Sequence, residues 1–561
     1  MSPEPAHAPA REDAPPSPAG SSVRSAIDIR QFGWIRPLAG EYAFHFERVA
    51  DLYSGNPADP AAWRDAIGRA QRHGRPHADI AAVIAAQQAR RGAPAPARHA
   101  AAKLADPRTT AVITGQQAGA FGGPLFTLLK AVTAIQLARR HAAEQQTEII
   151  AIFWVDAEDH DWREVASCTV LDAAFQPRTV ELQAPEGAGE RPVAALTLDD
   201  HIEQAVDGLA AALQVTEFTP SVIEDLRKAY RPGTGMADAF ARWLEGLLGP
   251  HGLVVFDSSD PAAKRFASDV FVRELRSPGR TAALAAEAGE KLSAAGHLPQ
   301  VAPHPDSISL FHVDGGRRPI RRQGDHFVIE ERRSDVHALL DQARSDPAHF
   351  SPNVLLRPIV QDTLFPTACY VAGPSELAYL GQLGGIYREF GVPMPLMYQR
   401  ASATLVDSAA ARFLNRYRVA LADLQPQDES ALNRLLESQL PESVEQAMRE
   451  AHGAAQASMR RLMDALPALD PTLAGAAKTT LGKMEHDLKG LHNKIIHAAK
   501  KRHETLRRQF TRAQAQAFPL GQPQERTLAV VYFLNRYGPA LVDRLLEDLP
   551  VEAGYHWVMT I

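Results

Sequence analysis

The stretch TGQQAGAFGGPLFTLLK, residues 114–130, decides the fold, because it runs from a strand end through a glycine-rich turn into a helix start. The apolar residues 111–113 read as the end of a buried strand, and Gly115, Gly119, Gly122 and Gly123 permit a tight turn close to a ligand. Pro124 suits the first position of a helix, where a missing N–H costs nothing. The free amides and positive dipole end of that helix favour a phosphate or carboxylate. The glycine spacing matches neither GxGxxG nor the GxxxxGK of a P-loop, so no standard nucleotide fingerprint is present. A ligand-free strand-to-helix connection satisfies the same residues.

Outward from this stretch, a helix over 124–141 and a strand over 149–155 complete a βαβ unit with a right-handed crossover. Ligands of such sheets bind beyond the carboxyl ends of the strands, where both the glycine loop and the run DAEDHD at 156–161 fall. Residues 252–257 read as a further buried strand, and 353–397 as the last core strands with their loops. The fold class is α/β. The expected organisation is a disordered leader at 1–25, then N-terminal helices with the first half of the core at 26–168. A first insertion at 169–250 and a core strand with helices at 251–295 follow. A small β-rich insertion at 296–350, with a hairpin about Asp314-Gly315-Gly316-Arg317, precedes the second half of the core at 351–424.

From residue 425 to 517 the chain turns to long, charged, helix-forming sequence, and 518–561 is expected to pack back on the core. Leu481, Met484, Leu488, Leu491, Ile495 and Ala498 alternate steps of three and four, the spacing of a coiled-coil seam. With Pro467 and Pro471 bracketing a connection, the reading is an antiparallel helical hairpin. A homodimer through this arm is the expectation, and a purely intramolecular hairpin is its alternative.

Composition narrows the function. The 561 residues carry a formal net charge of -6, which excludes the strongly basic profile of a general nucleic-acid binder. The apolar run 149–155 is too short to span a bilayer, and the leader lacks a signal-peptide core, so a cytoplasmic protein is expected. Cys168 and Cys369 are the only two cysteines and lack CxxC spacing, which argues against a disulfide framework or a cysteine zinc site.

Three segments can carry chemistry. In Glu158-Asp159-His160-Asp161, carboxylates and an imidazole can hold a metal, orient an amine or move protons, or simply cap a helix N-terminus. In the segment from Arg357 through Gln361 and Asp362, a guanidinium beside an amide and a carboxylate suits a substrate carboxylate or phosphate, or a buried ion pair. Glu376, after Gly373-Pro374-Ser375, touches a ligand amine or caps its helix, and Arg400 with Ser402 forms a weaker candidate. Neither GxSxG nor HExxH occurs.

Taken together, TGQQAGAFGGPLFTLLKA, FWVDAEDHDWREV, VVFDSSDP, LRPIVQDTLFPTACYVAGPSELAYLGQL, YREFGVPMPLMYQRASATLV and FLNRYGP resemble the bacillithiol biosynthesis family BshC, the cysteine-adding enzymes. The resemblance runs in order from about residue 35 to the C-terminus. Asp156 is its one departure, standing where a small or apolar residue is expected. It implies a Rossmann-like core similar to class I nucleotidylyl transferases, connecting insertions and a dimerising coiled-coil arm.

The implied reaction joins the carboxyl of L-cysteine to the amine of glucosaminyl malate, with ATP as cosubstrate to activate the carboxyl and no metal assigned. On that reading Thr114, Gln116, Gln117, Gly119, Gly122 and Gly123 cradle the nucleotide phosphates or the activated carboxyl. His160, with Asp159 and Gln116, is expected to be catalytic, His160 as general base. Glu158, Asp161, Arg357, Gln361, Asp362 and Glu376 are expected to bind substrate. A nucleotidylyl transferase acting on another small substrate and a non-catalytic nucleotide-binding scaffold are the rival readings.

Overall fold

The computed structural model describes residues 24–304, 306–470 and 472–561, so the leader through residue 23 and Pro471 lie outside the described residues. The central sheet has five parallel strands: β1 (Thr110–Gln117), β2 (Ile149–Asp156), β3 (Val254–Asp257), β4 (Thr367–Ala372) and β5 (Leu396–Gln399). Their order is β5-β4-β1-β2-β3. The chain winds outward from β1 to β3 and then returns to place β4 on the other side of β1. Strand order therefore reverses beside β1, and a crevice opens at the carboxyl ends of the strands there.

The strands read as apolar runs because both faces are covered. Val112, Phe153, Val155 and Val255 enter one core with α1 (Leu125–Gln145), and Ile113, Ile152, Trp154 and Phe256 enter the other. Alternate residues of each strand thus serve opposite layers.

β1 is longer than the sequence predicts. Gly115, Gln116 and Gln117 continue the ladder opposite Trp154, Val155 and Asp156, so the two glutamines project from a strand end and not from a turn. The turn itself follows at Phe121, Gly122 and Gly123, with φ of 51°, 92° and 69°. Gly122 is required twice over: its φ is left-handed, and a Cβ there would lie 2.2 Å from Cζ3 of Trp243. Pro124 is the residue just before α1 and not its first member.

The insertions differ in kind. Strands Ser167–Leu171 and Pro177–Glu181 form a hairpin, followed by helices His201–Ala212, Thr219–Ala229 and Met236–Leu248. The second insertion is a five-stranded antiparallel sheet whose first hairpin turns between Val313 and Arg317, where the Asp314-Gly315-Gly316 signal places it.

The core sheet stops at Gln399. Strand Ser402–Val406 instead pairs in parallel with Tyr555–Thr560, which also takes Arg24–Asp28 antiparallel, so the described N-terminal end, the C-terminus and the end of the core share one small sheet. The residues after Val406 do not extend the central core to 424, as the sequence suggests. Phe413, Leu421 and Leu432 pack with Leu506 and Phe510 into a separate core at the base of the arm. The arm is α2 (Glu442–Ala465) against α3 (Leu473–Arg502). Glu445 faces His492 at 3.8 Å and Gln456 bonds Glu485 at 2.9 Å, an antiparallel register. No described helix is long and apolar enough to cross a membrane.

Candidate active site

A cleft of about 290 Å³ lies at the strand-order reversal, near the lower end of small-molecule pockets. Gly115, Gln116 and Gln117 end β1, Trp154 and Asp156 end β2, and Tyr370 with Gly373 to Glu376 come from the end of β4. Phe126 and Lys130 enter from α1, Arg357 and Tyr379 from the helices around β4, and Arg400 and Arg526 from beyond β5.

Lys130 is the centre of this arrangement. It is 2% exposed, and its Nζ lies 2.5 Å from Oε2 of Glu376 while donating to the Gly115 carbonyl at 2.8 Å and to Oε1 of Gln116 at 3.2 Å. Burial lowers the ammonium pKa and Glu376 opposes that fall. Burial likewise pushes the Glu376 carboxyl up, but Lys130, the Gly373 N–H at 2.6 Å and Arg357 outweigh it and hold the carboxyl below its usual value. Glu376 is therefore ionised at neutral pH and faces Lys130 Nζ.

Arg357 donates to Oη of Tyr379 at 3.3 Å and to Oε1 of Gln361 at 3.4 Å, and its Nε is 3.9 Å from Oδ2 of Asp156. On the other side, Gln117 donates to Glu164 at 3.0 Å. Burial raises the Asp156 carboxyl against the pull of Arg357, and burial with neighbouring Asp159, Asp161 and Asp156 raises that of Glu164. The cleft can thus offer carboxylates to an amine and guanidinium groups to an anion.

The structure brings Gln116, Gln117, Arg357 and Glu376 together here. Thr114 lies beneath the cleft floor, its hydroxyl donating to the Val371 carbonyl at 3.0 Å. Gly119, Gly122 and Gly123 are not among the cleft residues, which differs from the expected phosphate cradle. The Gly122 N–H donates to Tyr230 Oη at 3.2 Å, the Tyr230 hydroxyl donates to the Gly119 carbonyl at 3.3 Å, and the Gly123 carbonyl accepts from Val530 N at 3.0 Å. The turn is spent on packing its own neighbours.

The acidic cluster diverges. Glu158 is buried in an ion pair with Lys264. Asp161 caps the short helix Trp162–Val165 through Arg163 N and Glu164 N, the capping alternative. Asp159 and His160 turn to Arg317 of the second insertion, at 3.5 and 3.3 Å. Among the described residues no three His, Cys, Asp or Glu gather as metal ligands. Gln361 donates to Asp362 at 2.9 Å, and Asp362 accepts from Tyr387 at 2.5 Å, a buried network behind Arg357. Both cysteines are buried and free.

Sequence reasoning passed over Lys130, Asp156, Glu164, Tyr370, Tyr379 and Arg526. A polar residue at a strand end, as Asp156 is, signals the ligand edge. Nothing local marks Arg526, which reaches the cleft from beyond the arm.

Comparison with known proteins places these features in a family. Residues 25–401 match the model "Bacillithiol biosynthesis BshC, N-terminal Rossmann-like domain", and residues 403–561 match "Bacillithiol biosynthesis BshC, C-terminal coiled-coil domain". Among curated relatives, a protein of Salinibacter ruber is 34% identical over 93% of this chain and 95% of its own length. One of Koribacter versatilis is 34% identical over 78% and 81%, and one of Chlorobaculum tepidum 32% over 80% and 82%. All three are named "Putative cysteine ligase BshC". With a parallel Rossmann-like sheet, a helical arm and both family domains matched in order, this chain belongs to the BshC family of bacillithiol biosynthesis.

Proposed function

We propose that the protein is a carbon–nitrogen bond-forming ligase that adds L-cysteine to glucosaminyl malate with ATP as cosubstrate. The observation that carries this reading is the family match over both domains, together with a cleft at the strand-order reversal whose polar groups suit an amine and an acid. The cysteine carboxylate attacks a phosphorus of ATP, giving an acyl-adenylate with release of pyrophosphate or an acyl-phosphate with release of ADP. The amine then attacks the acyl carbon, the C–N bond forms, and the phosphorylated group leaves with the C–O electron pair. A nucleotidylyl-transferase-like site is part of the same proposal.

The residues take these roles. Lys130, fixed by Glu376, and Gln116 stabilise negative charge developing at the acyl or phosphoryl oxygens. Asp156 and Glu164 receive the ammonium, and one of their carboxylates takes the proton that the nitrogen gives up before it attacks. Gln117 holds Glu164 in place. Arg357 binds an anionic group against Tyr379. His160 and Asp159, held on Arg317, act at the edge of the cleft and not at its floor. Incubation of the purified protein with cysteine, glucosaminyl malate and ATP tests the reading: bacillithiol with AMP or ADP supports it, and nucleotide binding without product under these conditions overturns it.

The same proposal includes a cytoplasmic homodimer formed through the arm. Leu481, Leu488 and Ile495 turn partly inward, whereas Met484 and Leu491 are 41% and 49% exposed on the same helix. An apolar stripe only half used inside one hairpin leaves the other half for a second copy. Light scattering should give twice the mass of one chain, falling to one chain in Met484→Glu/Leu491→Glu.

A further inference from the structure

Of the four cations lining the cleft, three are already engaged. Lys130 is paired with Glu376, Arg357 is shared among Tyr379, Gln361 and Asp156, and Arg400 donates to both oxygens of Glu525 at 2.9 and 2.6 Å. Arg526 is different. Its side chain is exposed, it lines the cleft, and among the described residues it forms no ion pair; its guanidinium stands 5.9 Å from the Phe126 ring centroid.

The turn that carries Arg526 is held firmly. Gln524, 1% exposed, accepts from Leu405 N at 2.7 Å and donates to the Leu405 carbonyl at 2.7 Å and the Gln516 carbonyl at 2.9 Å. Next to it, Glu525 accepts from Arg400, the Ser402 hydroxyl and Ala403 N. A long cationic side chain that lines a cleft unpaired, on a backbone anchored by the two residues before it, is placed to meet an anion.

Arg400 directly follows β5, Arg526 stands over Phe126 of α1, and Asp156 ends β2. With Asp156 already facing Arg357, Arg526 is the cation of the cleft left free to take an anionic group of a bound substrate.

We propose that Arg526 binds the carboxylate end of the amine-bearing substrate, so that the coiled-coil domain completes the cleft of the Rossmann-like domain. This rests on the ligase reading above, in which that substrate carries an amino sugar and a malyl dicarboxylate. Arg526 fixes the carboxylate end, and the amine is thereby delivered to Asp156, Glu164 and the acyl carbon.

The test is steady-state kinetics of Arg526→Ala and Arg526→Lys in the full-length protein, each substrate varied in turn. The KM for glucosaminyl malate should rise about tenfold or more in the alanine variant, the worth of one charge-assisted contact, with partial recovery in the lysine variant. The KM values for ATP and cysteine should stay within about twofold. A rise confined to ATP reassigns Arg526 to a phosphate and overturns the proposal, as does no change at all. Calorimetric titration with L-malate is independent of turnover. The wild type should bind it about fivefold or more tightly than Arg526→Ala, and equal affinities overturn the proposal even if no bacillithiol forms.

Discussion

Lys130 Nζ and Glu376 Oε2, 246 residues apart in the chain, meet at 2.5 Å on the floor of the cleft and join α1 to the loop after β4. The pair crosses the point where strand order reverses, so it fixes the two halves of the sheet edge relative to one another. Removing only the cation leaves a largely enclosed carboxylate without its ion-pair partner. Lys130→Met should therefore destabilise the protein by about 3 kcal/mol and abolish ligation, while Lys130→Met/Glu376→Gln recovers most of the stability and none of the activity. Urea denaturation with product assays on the same samples checks this, and a double variant as unstable as the single one contradicts it.

The acidic groups of the cleft set a pH limit. Burial raises both the Asp156 and the Glu164 carboxyls, Glu164 further through three neighbouring aspartates. A raised carboxyl takes up its proton earlier as pH falls, and a neutral acid no longer attracts an ammonium. The acid limb of kcat/KM for the amine substrate should then lie above the ordinary Glu value of 4.5, and Glu164→Gln should lower the plateau and move the limb to lower pH. A limb that stays in place in both Glu164→Gln and Asp156→Asn assigns it to other groups.

Gly122 tests the altered role of the glycine turn. With φ of 92° and a would-be Cβ 2.2 Å from Trp243, Gly122→Ala carries both strain and overlap. The expected loss is about 2–4 kcal/mol in thermal or urea unfolding, from the left-handed conformation and the overpacking together. Adding Trp243→Ala should leave the conformational strain and relieve the overlap, so the double variant falls short of the sum of the singles. Strict additivity would separate Gly122 from Trp243.

What could be read from the chain divides along physical lines. Strands β1 and β2 were legible because residues 111–113 and 149–155 are apolar on both faces, and Gln116, Gln117, Arg357 and Glu376 because each polar residue stands at a strand end or a helix start. The glycines marked the turn, but local spacing cannot reveal that Tyr230 and Trp243 come to pack against it. Glu158 and Asp156 look equally suited to a site. Only the fold shows that Lys264 buries the first and that the second opens on the cleft. Lys130 lies in a helix whose residues 127–135 are buried on every face, whereas a helical lysine normally faces solvent. Arg400 and Glu525 are paired across 125 residues, a distance no motif encodes.

Behind that last pair lies a buried histidine that makes folding acid-sensitive. His556 is fully enclosed between the Ser402 hydroxyl at 2.7 Å and the Thr404 hydroxyl at 2.8 Å, in the small sheet that joins the chain ends. Burial lowers its pKa from 6.5 to about 4, with Arg400 adding to the fall and Glu525 opposing it. Above pH 6.5 the imidazole is neutral whether folded or unfolded and has no effect on the pH dependence. Between 6.5 and 4 the unfolded chain takes up the proton and the folded chain does not, so folding stability falls as pH falls and levels off below 4. The whole window is worth about 3 kcal/mol, and most of it is lost by about pH 4.5. His556→Gln keeps a donor and an acceptor but cannot titrate. The difference in unfolding free energy between pH 7 and pH 4.5 should therefore be smaller in the variant by about 2–3 kcal/mol. An equal pH dependence in variant and wild type would mean that acid sensitivity resides elsewhere and that His556 is reached by solvent before unfolding.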